Sequence, residues 1–299
     1  MRTNLFPFYT IGHFINEPLN PTTFEITRFE EMEEPDIEDP HKHSFYEILW
    51  MSEGVSSHVI DYKVYPIEPN TLYFISPGQL HHFEEWQHIK GGSIMFTEDF
   101  FLFHHHNKEA LFTLSFLDNF YTKPYLKPDT EQYYEIQHTI DILFAEKSRT
   151  DYSPTIAQAL LHVVLGQIQR CVDAERRAQH GEALSKRSII LYKTFKNLLD
   201  THFHEGFTAV EYADKLTITQ HHLNHIVKSV TGKTTTEIIR DRSLLEAKRL
   251  LTFTDLPVSE IAAGLRYFDS SYFAKQFKAA EGLSPREFRE RISEKYRTM

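Results

Sequence analysis

The chain has 299 residues, enough for two domains that each bury a core of their own. Its single cysteine, Cys171, excludes an intrachain disulfide framework and a Cys-rich zinc site, and the opening MRTNLFPFYTIGHFINEPL lacks the basic start and unbroken apolar run of a signal peptide. The net charge of −10 argues against nucleic acid only until it is divided: residues 1–182 carry 13 Lys/Arg against 28 Asp/Glu, a net of −15, and residues 183–299 carry 19 against 14, a net of +5. An acidic section followed by a basic one points to two jobs. No stretch is apolar for long enough to cross a bilayer, so no membrane contact is expected, and a reducing cytoplasm is the expected compartment.

From residue 20 to about residue 100 the chain reads as short strands. FEITRFEE, FYEILWMSEG, SSHVIDYKVYPI, TLYFISPG, HHFEEW and KGGSIMFT are rich in β-branched and aromatic residues. Breakers separate them at Glu53-Gly54, Pro66, Pro69-Asn70, Pro77-Gly78 and Gly91-Gly92. Strands this close, with no helix between them, predict an antiparallel barrel or jelly roll. Within this region PHKHSFYEIL places His41, His43 and Glu47 at H-x-H-x-x-x-E spacing. On a strand the three share one parity and hence one face.

Beyond Asp99 the period changes. Tyr133, Ile136, Ile140, Leu143 and Phe144 recur at helical spacing over 130–147. Residues 155–173 carry Ile156, Leu160, Leu161, Val163, Val164, Leu165, Ile168 and Val172, apolar over more than one stripe. One face is expected to cover the barrel, and the excess fits either deeper burial or a partner chain. The polar run 174–187 reads as a linker, helical in part. The His104-His105-His106 run reads as a polar loop, because three adjacent residues cannot share a helix face.

The basic section reads as all-helical from 188. In TAVEYADKLTITQHHLNHIVKSVTG, Val210, Ala213 and Leu216 form a short apolar stripe. Thr217-Ile218 reads as a turn, Thr219 as a cap and Gly232 as a helix stop. Between cap and stop, Leu223, Ile226, Val227 and Val230 face inward, and Gln220, His221, Asn224, His225 and Lys228 fall on the opposite face. This is helix–turn–helix patterning. It recurs about 50 residues later in PVSEIAAGLRYFDSSYFAKQFKAAEG, with Ile261, Ala262 and Leu265, a cap at Asp269 or Ser270, inward Phe273 and Phe277, outward Ser271, Lys275 and Lys278, and a stop at Gly282. Ser284-Pro285 begins another helix, and residues 236–252 link the copies through a striped helix bearing Arg240, Arg242, Lys248 and Arg249. Thr231-Gly232-Lys233-Thr234 imitates the end of a phosphate loop, but Val227 stands where that loop requires glycine.

From about Phe207 to Phe288 the residues resemble the AraC/XylS family of transcriptional regulators. The resemblance rests on Ala213, Leu216, Leu223, Val227-Lys228 and Thr231-Gly232, on Arg242, Ala247 and Leu250-Leu251, and on Ile261-Ala262, Ser271-Tyr272-Phe273, Gln276-Phe277-Lys278, Gly282, Ser284-Pro285 and Phe288-Arg289. Two departures stand out. Arg266-Tyr267 replaces the family's Gly-Phe at the second turn, and Val227 replaces its usual Phe. The resemblance implies that the second helix of each copy enters a major groove of double-stranded DNA, the two reading adjacent turns roughly 34 Å apart. Gln220 and Asn224 offer paired donors and acceptors to adenine, and His221 and His225 suit bases or phosphates. Lys228, Lys275 and Arg249 suit phosphates, Arg266 is placed to reach one, and Ser270 and Ser271 open the second helix. A homodimer, a small-molecule effector and contact with RNA polymerase are further implications, as is activation rather than repression.

With that context, His41, His43 and Glu47, followed by Ser76-Pro77-Gly78-Gln79-Leu80-His81, resemble a cupin barrel, whose metal site joins such a motif to a later histidine. Sensory cupins of the same family commonly keep this framework as a polar pocket lining, so His41, His43, Glu47 and His81 are expected to bind the effector, and no cofactor is expected. His82 is the alternative inward residue to His81, and Tyr46, Trp50, Tyr73 and Phe83 are candidates for aromatic walls or barrel core. No Ser/His/Asp arrangement, dinucleotide fingerprint or Cys/His zinc pattern is present. The expected architecture is an α+β multidomain protein. A cupin-like antiparallel β-barrel with a helical hairpin occupies 1–173, a linker 174–187, and an all-α double helix–turn–helix domain 188–299. Two other readings stay open at this point: a metal-dependent cupin enzyme with a helical appendage, and a DNA-binding regulator whose cupin domain only dimerises.

Overall fold

The computed structural model describes residues 7–32, 40–84, 88–102, 111, 114–117, 123–180 and 185–295. The histidine run at 104–106 lies outside the described residues. The described chain divides into two compact units, within Phe6–Ala183 and Leu184–Met299.

In the first unit the β-rich segments become β1 (Phe8–Tyr9), β2 (Phe24–Arg28), β3 (Lys42–His43), β4 (Tyr46–Glu53), β5 (Ser56–Ile60), β6 (Lys63–Ile67), β7 (Thr71–Ile75), β8 (His81–Phe83), β9 (Lys90–Phe96) and β10 (Tyr125–Leu126). They form a five-stranded sheet of order β10-β7-β4-β9-β2, a three-stranded sheet β6-β5-β8 and a parallel β1–β3 pair. The larger sheets are antiparallel throughout. These are the layers of a cupin-like jelly roll, open as two sheets rather than closed as a ring. Side-chain alternation splits β4 between two environments. Leu49 and Met51 join Ile60, Ile67, Tyr73, Ile75 and Ile89 in one core. Ile48 and Trp50 point to the other face of the sheet.

Two short helices, α1 (Ile11–Phe14) and α2 (Glu98–Leu102), come first, and that second face is covered by the two long ones, α3 (Thr130–Lys147) and α4 (Pro154–His180). Tyr133, Ile136, Ile140, Leu143, Leu161, Val164, Leu165 and Ile168 pack there with Trp50, Phe74 and Phe96. Asp129 starts α3 by accepting the Gln132 amide at 2.8 Å. Two expectations shift. The stretch SSHVIDYKVYPI is a hairpin rather than one strand, because Asp61 and Tyr62 both adopt positive φ (47° and 67°). The helix expected over 155–173 continues to His180, through the first half of the expected linker.

The second unit is helical: α5 (Lys186–His202), α6 (Ala209–Lys215), α7 (Gln220–Thr231), α8 (Thr235–Phe253), α9 (Val258–Gly264), α10 (Ser270–Glu281) and α11 (Pro285–Lys295). Thr208 and Glu211 cap α6 reciprocally, and Thr234 and Glu237 do the same for α8. Thr219 accepts the His222 amide at 3.1 Å to begin α7, and Asp269 accepts the Ser271 and Tyr272 amides to begin α10. Gly232 and Gly282 end these two helices in the left-handed conformation, at φ 74° and 76°, where a Cβ is unfavourable. The phosphate-loop imitation is therefore a helix stop followed by a helix cap. The stripe of α6 differs from expectation. Ala209, Tyr212 and Ala213 are buried and Val210 is half-exposed, because Tyr212 sits edge-on to Phe195 and Phe207.

Candidate functional site

At one end of the first unit β3, β4, β5 and β8 bring histidines together. His41, His43, Glu47, His58, His81 and His82 are all buried. The strand breaks at Ser44-Phe45, yet His43 and Glu47 still converge: His43 Nε2 stands 3.4 Å from Glu47 Oε2. His81 Nε2 lies 3.9 Å from the same oxygen. His81 is the inward residue, since its Nδ1 meets His58 Nε2 at 3.1 Å. The His41 ring lies against it, centroids 4.4 Å apart, and the two backbones pair across a bridge. The four residues expected at this site are thus assembled, with His43, Glu47 and His81 forming the tight group.

Sequence reasoning missed His58 and Ser93. His58 shares the inward parity of Ile60 on β5, a signal that alternation alone contained. Ser93 donates to Glu47 Oε1 at 2.7 Å. Of the aromatic candidates, Phe83 stacks on His58 at 4.4 Å and Tyr73 lies 5.8 Å from it. Tyr46 and Trp50 belong to the helix-facing side instead.

Burial, reinforced by neighbouring histidines, holds His58 and His81 well below the ordinary imidazole range. Both are neutral in the fold at pH 7 and charge more readily in the unfolded chain. Their contribution to stability is therefore intact above about pH 6.5 and lost as pH falls below it. With chelator present, the first unit is expected to lose up to about 1.4 kcal/mol per histidine for each pH unit below that point. Thermal melts from pH 7.5 to 5.0 check this, and a flat profile contradicts it.

In the second unit, α7 and α10 have apolar backs and open fronts. Leu223, Ile226, Val227, Phe273 and Phe277 are buried. Gln220, His221, His225, Lys228, Ser271 and Lys275 are exposed, and Ser270 is partly exposed. Asn224 has a second engagement. It is half-buried, and its Oδ1 accepts the Thr235 amide at 3.0 Å. That bond engages one of the two lone pairs of Oδ1 and ties α7 to the start of α8. Two residues beyond the expected set are exposed beside α10: Phe268, which touches almost nothing, and Tyr272. The signal for Phe268 was its place just before the Asp269 cap, outside any helical stripe.

The linking helix is held by its charges. Arg242 Nε donates to Asp200 Oδ1 at 2.9 Å and its guanidinium covers the Phe203 ring, while Lys248 meets Glu281 at 3.1 Å from a buried position. These two cations are structural; Arg249 and Arg240 are exposed. Arg266 has φ 62°, the left-handed turn that the usual glycine allows, and its Nε donates to the His204 carbonyl at 3.4 Å. Arg266→Gly is expected to exceed Arg266→Ala in stability by about 1 kcal/mol. Both variants lose the same side chain, so urea denaturation of the pair isolates the backbone strain, and equal midpoints count against it.

A chain joining a buried polar cluster in a jelly roll to two exposed recognition-type helices defines a class: DNA-binding regulators with a ligand-binding domain. The AraC-like ligand binding domain matches residues 24–101, and the Helix-turn-helix domain matches residues 212–291. The chain belongs to the AraC family of transcriptional regulators, and is a regulator rather than an enzyme. It is 24% identical over 258 residues to the HTH-type transcriptional activator RhaR of Mannheimia succiniciproducens, covering 85% of this chain and 88% of that one. It is also 24% identical to RhaR of Yersinia pseudotuberculosis, over 84% of both chains. Among solved structures it is similar to ToxT of Vibrio cholerae, at 14% identity and TM-score 0.39, covering 90% of this chain and 98% of that one. No helix among the described residues is long and apolar enough to cross a membrane.

Proposed function

We propose that the protein is a cytoplasmic, homodimeric activator that places α7 and α10 in successive major grooves and responds to a small effector held at His41, His43, Glu47 and His81. The observation that carries the DNA reading is the pairing, on both helices, of a fully buried apolar back with an exposed polar front. Gln220, His221, His225, Ser270 and Ser271 are the base-facing set. Lys228, Lys275, Arg249 and Arg266 serve phosphates and fix register. The domain assignment that goes with this reading is a sensor over 1–173, a connection over 174–187 and a DNA-binding domain over 188–299.

Ile156 and Val163 are exposed and Leu160 is half-buried on the outer stripe of α4, which supports dimerisation there. The effector acts by binding one arrangement of the dimer better than another. Activation follows the name of the RhaR relatives, and contact with RNA polymerase is the route proposed for it. Selection of bound sequences from random duplex DNA by the purified chain, with and without cell extract, tests the reading. Enrichment of one motif, changed in strength by extract, is the expected result. Recovery of the input distribution in both arms defeats it.

A further inference from the structure

The buried polar cluster contains a specific chemical mismatch. A carbonyl oxygen only accepts, so the 2.8 Å contact between His43 Nδ1 and the Phe45 carbonyl places a proton on Nδ1. A neutral His43 therefore presents a bare lone pair at Nε2. That lone pair faces Glu47 Oε2, another acceptor, at 3.4 Å. Glu47 Oε1 is held by the Ser93 hydroxyl, which turns Oε2 toward the histidines. His81 adds a third atom, Nε2, its other nitrogen being engaged by His58. His43 Nε2, His81 Nε2 and Glu47 Oε2 are buried and have no hydrogen-bond partner among the described residues.

Buried polar atoms without partners are rare and require a reason. Three donor atoms pointed at one another, each fixed from behind by an outer partner, match the way proteins orient metal ligands. Their mutual distances all lie within 4.8 Å. Ligands about 2.1 Å from a common ion stand roughly 3.0–3.4 Å apart, so side-chain shifts within rotamers close the set. Two imidazoles and a carboxylate suit a borderline divalent ion such as Zn²⁺, Ni²⁺, Co²⁺ or Fe²⁺ and disfavour Ca²⁺ and Mg²⁺. Three protein ligands leave coordination positions open.

We propose that the sensory pocket takes a divalent transition-metal ion as its effector, bound by His43 Nε2, His81 Nε2 and Glu47 Oε2 with His58 and Ser93 as positioning residues. This rests on the regulator reading above and names the effector class for the same site. The ion supplies the positive charge that the three lone pairs lack, and it draws β3, β4 and β8 onto one point.

The test uses full-length protein made without a histidine tag and stripped with chelator. Zn²⁺, Ni²⁺ and Co²⁺ are added in turn, and bound metal is measured by elemental mass spectrometry, by the visible bands of Co²⁺ and by thermal shift. Wild type is expected to hold one ion per chain. Glu47→Gln and His43→Ala should bind at least 10-fold more weakly, and His138→Ala, altering an exposed histidine of α3, should match wild type. Glu47→Gln is isosteric, and circular dichroism shows whether it is folded; if it is not, Co²⁺ bands of wild type that lack nitrogen-ligand character are themselves enough to reject the site. Metal should also change affinity for the selected DNA motif at least 5-fold in wild type and not in Glu47→Gln. Absence of stoichiometric binding, or equal binding by all variants, overturns the metal site, and a proton shared between His43 and Glu47 then fills its place. Site-specific binding without any change in DNA affinity overturns the effector role. The regulator reading fails separately, in the DNA selection, where no metal is added.

Discussion

Replacement of Phe273 by alanine is expected to abolish operator binding while the first unit stays folded. Phe273 has no exposed surface and lies against Tyr267 and Phe277, at 5.0 and 5.9 Å between ring centroids. It is the point at which α10 is pinned to the rest of its helix–turn–helix. Truncating a buried Phe costs about 3–5 kcal/mol through lost transfer energy and the cavity left behind. A domain of this size has a total stability of roughly 5–15 kcal/mol, so the loss takes a large share of it. The expected observations are a lower-temperature melting transition for the helical unit, early proteolysis within 188–295, and no shifted band on the selected DNA. An unchanged melt with lost binding would mean that Phe273 touches DNA rather than the core.

The second large effect separates readers from anchors. Gln220→Ala and His225→Ala should weaken the selected site by about 1–3 kcal/mol, roughly 5- to 150-fold, with little change on random DNA. Lys228→Ala should weaken both alike and lower the slope of log affinity against log salt by roughly 0.9. Asn224→Ala should behave differently from all three. It leaves the Thr235 amide without its acceptor, in a residue with no exposed surface, and should cost about 1–3 kcal/mol of folding stability. Its effect on DNA should then be equal for both duplexes. Titrations at several salt concentrations, beside urea melts of each variant, measure these terms. Identical behaviour of Gln220, His225 and Lys228 variants on both DNAs would remove the base-reading assignment.

Local patterning accounts for what was legible beforehand. The caps Thr219 and Asp269 and the stops Gly232 and Gly282 were readable because each satisfies backbone groups within a few residues of itself. The same holds for the burial of Phe273, Phe277 and Ile261, since a helical period of 3.6 places them on one stripe whatever the surroundings. The tie made by Asn224 was not legible, for the complementary reason. Its spacing put it on the front of α7, but the Thr235 amide that donates to it lies on the next helix, eleven residues on, where periodicity carries no information.

The amino-acid sequence by itself determined the two-part organisation, the doubled helix–turn–helix grammar, the strand content of the first half and the shared face of His41, His43 and Glu47, because these depend on composition, period and nearest neighbours. Only the tertiary structure decided that His58 and Ser93 stand behind His81 and Glu47, that His81 rather than His82 faces inward, and that Arg242 and Lys248 are internal ties rather than free cations. Each of those depends on which distant segments the sheets and helices bring side by side, and a hydrogen bond or ion pair across such a junction has no counterpart in local spacing.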